Sequence, residues 1–278
     1  MPTTEGYLTT GDGIRLFYRM IGDGPQTVLI PNGLYFASDF APLANGRRLI
    51  FYDLRNRGQS DTVTDPAKLA AGVHNDVEDL EAVRRHFSVA KADLMAHSYV
   101  AAVIALYAMK YPDSVRSIVQ IAPTPPEYDK QYPPDLMNND GLLPQVFAKL
   151  GQIPRDGDPA EVCRRFWETL RAIYVADPAN AAKLDWGRCE LPNERNFMMY
   201  FNGSILPSLR AAKVASFQTP SLIVHGRKDR NAAYGGALDW AKLLPKARLL
   251  TLENAAHAPW IEDPEPVFAA IDEFLSRP

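Results

Sequence analysis

The 278-residue chain has little cysteine: Cys163 and Cys189 are the whole supply. Two cysteines cannot build a dense disulfide framework, so free thiols in a reducing compartment are expected. Charge of one sign is also missing. The formal net charge is −3 and no block of like charge occurs. A nucleic-acid partner would need a basic face, so none is expected. Long hydrophobic runs are absent. The longest, residues 99–109, is too short to span a bilayer, and no membrane partner is expected. Residues 1–10 lack the basic start and apolar stretch of a secretory signal. No repeat or low-complexity tract occurs. What remains is ordinary globular composition, with 46% hydrophobic and 23% charged residues. A cytoplasmic protein is expected, as monomer or homodimer, long enough for one domain with an insertion.

The order of elements sharpens this. Two β-rich segments, residues 6–10 and 14–20, meet across Gly11-Asp12-Gly13, which signals a hairpin. Apolar strands follow at residues 27–31 and 48–53, each running into a loop. Residues 73–87 carry apolar side chains at Val73, Val77, Leu80, Val83 and Phe87, the spacing of an amphipathic helix. A strand at 93–96, a helix at 99–111 and a strand at 115–122 come next. This alternation implies an α/β protein with a mainly parallel sheet and covering helices. At Pro123 the character changes. Residues 123–215 hold 11 of the 23 prolines, and Pro123-Thr-Pro-Pro126 and Tyr132-Pro-Pro134 can continue neither a helix nor a central strand. Helical stretches at 141–150, 159–175 and 193–201 make this a helical cap inserted into a core of residues 1–122 and 216–278. Core strands resume at 220–225 and 248–253, with helices at 235–244 and 266–275.

The stretch Ala96-His97-Ser98-Tyr99-Val100 places one serine between a strand and a helix. A nucleophile elbow has that context, and so does a helix N-cap. Asp229 and His257 each follow another strand. In a parallel sheet the carboxyl ends of strands share one edge, where ligands bind. Ser98, Asp229 and His257 can therefore meet. The chemistry needs each type: serine requires a base, histidine moves a proton near neutral pH, and a carboxylate fixes the imidazole tautomer.

With these residues in place, the chain resembles the α/β-hydrolase family over essentially its full length. His225-Gly226-Arg-Lys-Asp229, Asn254-Ala-Ala-His257-Ala-Pro-Trp and Asp53-Leu-Arg-Asn-Arg-Gly58-Gln-Ser60 carry the resemblance. It implies an eight-stranded, mostly parallel sheet with a helical cap, Ser98 as nucleophile, His257 as base and Asp229 as its partner. It also implies an oxyanion hole, with backbone N–H donors from Tyr99 and, after Asn32-Gly33, from Leu34. No metal or organic cofactor is implied. Ala96 and Val100 depart from the family's glycines around the nucleophile, and Asn56 from a loop glycine.

Gly33, Tyr35, Phe36, Trp167, Trp186 and Tyr200 are the expected substrate-binding residues, although most cap aromatics would also serve as the cap's own core. Glu190 and Glu194 read as surface acids; in proline-iminopeptidase-like relatives, cap acids bind the substrate amine. The expected function is a serine hydrolase of small-to-medium carboxylic esters or lactones, acting on a small-molecule substrate. The alternatives are a proline-iminopeptidase-like amidase, a lyase or carbon–carbon hydrolase with the same triad, and a binding protein on a hydrolase scaffold.

Overall fold

A computed structural model describes residues 1–154 and 156–277, with Leu34 described only as part of its helix. The strands are β1 (Thr3–Thr9), β2 (Arg15–Ile21), β3 (Gln26–Pro31), β4 (Arg47–Tyr52), β5 (Ala92–His97), β6 (Val115–Ile121), β7 (Ser221–Gly226) and β8 (Ala247–Leu252). They form one eight-stranded sheet in the order β1-β2-β4-β3-β5-β6-β7-β8. β1 and β2 form the expected antiparallel hairpin, and β2 also runs antiparallel to β4. All later neighbours are parallel. β5 and β7 are buried at every position, which is why they read as continuous apolar runs.

The helices of the first half are α1 (Gly33–Phe40), α2 (Pro66–Leu69), α3 (Val73–His86) and α4 (Tyr99–Lys110). Between β6 and β7 lie α5 (Leu142–Gly151), α6 (Pro159–Leu170), α7 (Pro192–Tyr200) and α8 (Leu206–Ala211), with no strand among the described residues. A π turn, Phe201–Ile205, joins α7 to α8. The last helices are α9 (Tyr234–Leu243), α10 (Pro259–Glu262) and α11 (Pro264–Leu275). In the insert, proline stands in the first turn of α6 and α7, where its missing N–H has no intrahelical use.

Helix α1 stands where the sequence suggests only a loop. Asn32 follows β3 with φ 80°, and Gly33 comes next, pressed against β4; a Cβ on Gly33 would lie 2.9 Å from the Tyr52 nitrogen. The Asn-Gly pair that signals a turn here starts a helix. Phe36 and Phe40 then bury against each other and against Trp260, with ring centroids 4.8, 5.1 and 5.6 Å apart.

The free-thiol expectation is corrected. Cys163, on α6, and Cys189, just before α7, form a disulfide with Cα atoms 5.8 Å apart. Gly187, at φ 85°, turns the chain back onto α6 and packs against Trp167, which brings Cys189 beside Cys163. Spacing along the sequence does not reveal such a fold-back. A bridge spanning 26 residues is expected to stabilise the insert by roughly 3 kcal/mol in the chain-entropy picture. Peptide mapping without reductant should recover the two cysteine peptides as one linked species, and dithiothreitol should lower the urea midpoint. Two alkylatable thiols in the native, unreduced protein would contradict this. Among the described residues no helix is long and apolar enough to cross a membrane.

Candidate active site

Strand β5 delivers Ser98 into a sharp turn. Ser98 has φ 57° and ψ −131°, a backbone region that costs a non-glycine residue about 1–3 kcal/mol. Three backbone hydrogen bonds hold it there. The Ser98 N–H donates to Ile121 O at 3.0 Å, and Ser98 O accepts from Ala101 at 3.1 Å and Thr124 at 3.3 Å. Ala96 and Val100 are fully buried beside the turn, so their side chains pack without displacing the strained serine. The residue opposite Ala96 is Gln120, whose amide reaches across to donate to Ala101 O at 3.0 Å. The helix-cap reading of Ser98 fails, because its side chain makes no cap hydrogen bond with α4.

The three strand-end residues converge. His257 Nε2 lies 3.0 Å from Ser98 Oγ, and His257 Nδ1 lies 2.7 Å from Asp229 Oδ2. The carboxylate accepts the Nδ1 proton, which leaves Nε2 bare toward the serine hydroxyl. Burial alone would raise the Asp229 carboxyl. The charge of His257 and hydrogen bonds from His225 and His257 outweigh burial and hold it well below the usual carboxylate range. Its second oxygen accepts the backbone N–H groups of Asn231 at 2.7 Å and Ala232 at 2.9 Å.

Two supporting histidines were not singled out from the sequence. His225 Nε2 lies 3.3 Å behind Asp229 Oδ2 while donating to Ala232 O at 3.0 Å. His97 Nε2 donates to the backbone O of His257 at 2.9 Å, with the two rings 4.4 Å apart. Burial, then the neighbouring His257, push the His97 imidazole well below its ordinary range, so it is neutral. The signal for both was position: His97 ends β5 and His225 stands one residue before the end of β7, both fully buried strands.

A cavity of about 350 Å³ opens over Ser98 and His257. Core residues Tyr35 and Phe36 line it together with insert residues Trp167, Trp186, Phe197 and Phe201. Tyr35, Phe36, Trp167 and Trp186 thus line the cavity that holds Ser98 and His257. Two expected contacts are corrected. Gly33 faces Tyr52 and lines a separate cleft, because α1 turns its first residue toward β4. Tyr200 faces a larger cavity of about 620 Å³ that holds none of the three strand-end residues. The reason is helical phase. Asn193, Asn196, Met199, Tyr200 and Gly203 share one face of the α7–π segment, while Phe197, Met198 and Phe201 share the other. The insert's aromatics also contribute more wall than expected: Phe166, Tyr174, Phe197 and Phe201 all reach the Ser98 cavity.

Tyr99 is the first residue of α4, and Leu34 lies in the first turn of α1. N–H groups in a first helical turn have no intrahelical acceptor. The expectation for Leu34 beyond its place in the helix falls outside the described residues. The surface reading of Glu194 is corrected. Glu190 is exposed and pairs with Arg188, but Glu194 is buried, with its Oε1 3.0 Å from Arg57 Nε and 2.9 Å from the Gly58 nitrogen. Asn56, in place of the loop glycine, takes the left-handed backbone at φ 58°, and its Oδ1 accepts from Val63 N at 2.6 Å. Among the described residues no cluster could hold a metal ion.

Comparison with known proteins agrees with this fold. Residues 26–264 match the family model described as alpha/beta hydrolase fold. A proline iminopeptidase of Heyndrickxia coagulans is 24% identical across 98% of this chain and 99% of its own length. A bifunctional esterase/perhydrolase of Acinetobacter calcoaceticus is 31% identical over 52% of each chain. An esterase structure from Exiguobacterium antarcticum superposes with a TM-score of 0.73, at 16% identity, covering 99% of this chain and all of its own.

Proposed function

The chain belongs to the α/β-hydrolase fold family, and from that premise we propose that it is a serine hydrolase of small-to-medium carboxylic esters or lactones. The observation that carries this reading is the hydrogen-bonded series Ser98–His257–Asp229 beneath an aromatic-walled cavity. A serine, a histidine and a carboxylate in hydrogen-bonded series support roles as nucleophile, base and orienting group in acyl transfer.

His257 Nε2 takes the Ser98 proton as Oγ attacks the ester carbonyl. Negative charge builds on the carbonyl oxygen, and fixed backbone N–H groups stabilise it. The Tyr99 and Leu34 amides are assigned that role. Imidazolium forms next to Asp229, whose depressed pKa keeps it a carboxylate throughout. His257 then protonates the leaving alkoxide as the tetrahedral intermediate collapses to an acyl-enzyme. Water, deprotonated by the same histidine, releases the acid. The walls are mainly aromatic, which suits an apolar acyl or alcohol group.

The aminopeptidase alternative is weaker for a specific reason. Binding a substrate ammonium requires a carboxylate with charge to spare. Glu194 is neutralised by Arg57, and Glu190 pairs with Arg188 at the surface. A side-by-side assay of p-nitrophenyl acetate, p-nitrophenyl butyrate and proline p-nitroanilide decides between the two. Turnover of the esters, with little or none of the anilide, is expected. Turnover of the anilide alone would overturn the ester assignment.

A further inference from the structure

The Glu194 side chain is fully buried, and it is not alone. Arg57 approaches it twice, Nε to Oε1 at 3.0 Å and Nη2 to Oε2 at 3.2 Å. Arg57 also lies flat over Phe197, 3.8 Å from the ring centroid, and forms part of the cavity wall. The Tyr35 hydroxyl closes the group. It accepts from Arg57 Nη2 at 2.7 Å and donates to Glu194 Oε2. The neighbouring Asn193 clamps the same loop, its amide donating to Gly58 O at 3.2 Å and Ser60 O at 2.7 Å. Gly58, at φ 49°, is required here, since a Cβ would lie 2.1 Å from Asp53 Oδ2.

Three separate pieces of chain therefore meet at one buried ion pair: α7 of the insert, the loop after β4, and α1. Tyr35 is held at both ends, its N–H on Asn32 O at 3.3 Å and its hydroxyl on the pair. It directly follows Leu34, whose amide is the proposed second oxyanion donor.

We propose that Glu194 is a positioning residue: with Arg57 it fixes Tyr35, and through Tyr35 the first turn of α1, so that insert and oxyanion site are set as one unit. This rests on the hydrolase reading above. Removing one partner of a buried ion pair leaves the other uncompensated, so the gentler variant comes first. Tyr35→Phe deletes only the bridging hydroxyl and leaves the Arg57–Glu194 pair intact. Glu194→Gln keeps the shape and removes the charge.

Each variant is assayed on p-nitrophenyl butyrate and titrated with phenyl trifluoromethyl ketone. Ser98 adds to that ketone as a hemiketal whose oxyanion occupies the oxyanion site. Misplacement of a reacting group by about 1 Å costs up to about a hundredfold. Tyr35→Phe is expected to lower kcat about tenfold or more and to weaken the ketone by a similar factor, with KM and benzyl alcohol inhibition changed less than about threefold. Glu194→Gln should fall further, and the double variant should fall no further than Glu194→Gln, as for groups acting together. An unchanged kcat in Tyr35→Phe, a rise in KM alone, or fully additive losses would overturn the proposal. Fluorophosphonate labelling of the wild type runs in parallel. A labelled, active wild type with an unaffected Tyr35→Phe sinks the positioning role alone; an unlabelled, inactive wild type sinks the hydrolase reading and this inference with it.

Discussion

Ser98→Ala is expected to abolish ester turnover, with kcat falling on the order of 10⁵–10⁶-fold, as when the nucleophile of a serine triad is removed. Three features of the site make the effect large. Ser98 is the hydroxyl in contact with His257 Nε2, at 3.0 Å. Its backbone is held in a strained turn that aims it at the cavity, so no neighbour can substitute for it. Tyr99, next in α4, has a phenol whose ionisation burial disfavours, and Val100 has no nucleophilic group. Fluorophosphonate labelling of the wild type should map to the Ser98 peptide and vanish in the variant. The folded state should survive, because alanine tolerates this backbone no worse than serine does, so circular dichroism should be unchanged. A variant that turns over p-nitrophenyl butyrate at the wild-type rate would end the covalent mechanism. The binding-protein alternative would then gain if a ligand of the cavity were recovered intact.

What could be read from the sequence divides along physical lines. All eight strands were legible: the parallel ones as apolar runs bounded by turn residues, as at Leu94–Ala96 and Leu222–Val224, and the β1–β2 hairpin by its Asp-Gly turn. Ser98, Asp229 and His257 were legible because each follows its own strand, and strand ends share an edge. Helix α1 was hidden: Asn32-Gly33 looks like a turn, and aromatic residues follow it. The faces of α7 were hidden because Tyr200 and Phe201 are adjacent in sequence yet line different cavities. Glu194 was hidden for another reason. Its partner Arg57 is 137 residues away, and nothing local marks a charge that will be buried. The disulfide belongs with it, a pairing made by the fold and invisible in spacing. Local periodicity reports elements well; pairing across the insert is a tertiary fact.

Asp229→Asn is the second large expectation, with kcat lower by about 10⁴-fold. The carboxylate does three things that the amide cannot do together. It accepts the His257 Nδ1 proton at 2.7 Å, which fixes the tautomer that leaves Nε2 free for Ser98. It offsets the imidazolium that forms during attack. It accepts two backbone N–H groups on its other oxygen, which orient it. An asparagine that keeps its oxygen on those amides presents NH₂ to the histidine, which then offers Nε2–H to the serine and cannot act as base. The pH dependence follows from the same environment. The Asp229 pKa is depressed in the folded protein, so the stability it contributes is present above its unfolded value of about 4 and is lost as pH falls below that. In Asp229→Asn this acid-side contribution is absent. Urea midpoints of wild type and variant should therefore differ most above about pH 4 and approach each other at lower pH. Labelling of Ser98 should slow in step with kcat. A variant that keeps wild-type kcat with a parallel loss of stability would reduce Asp229 to a structural loop residue and leave His257 to find its tautomer unaided.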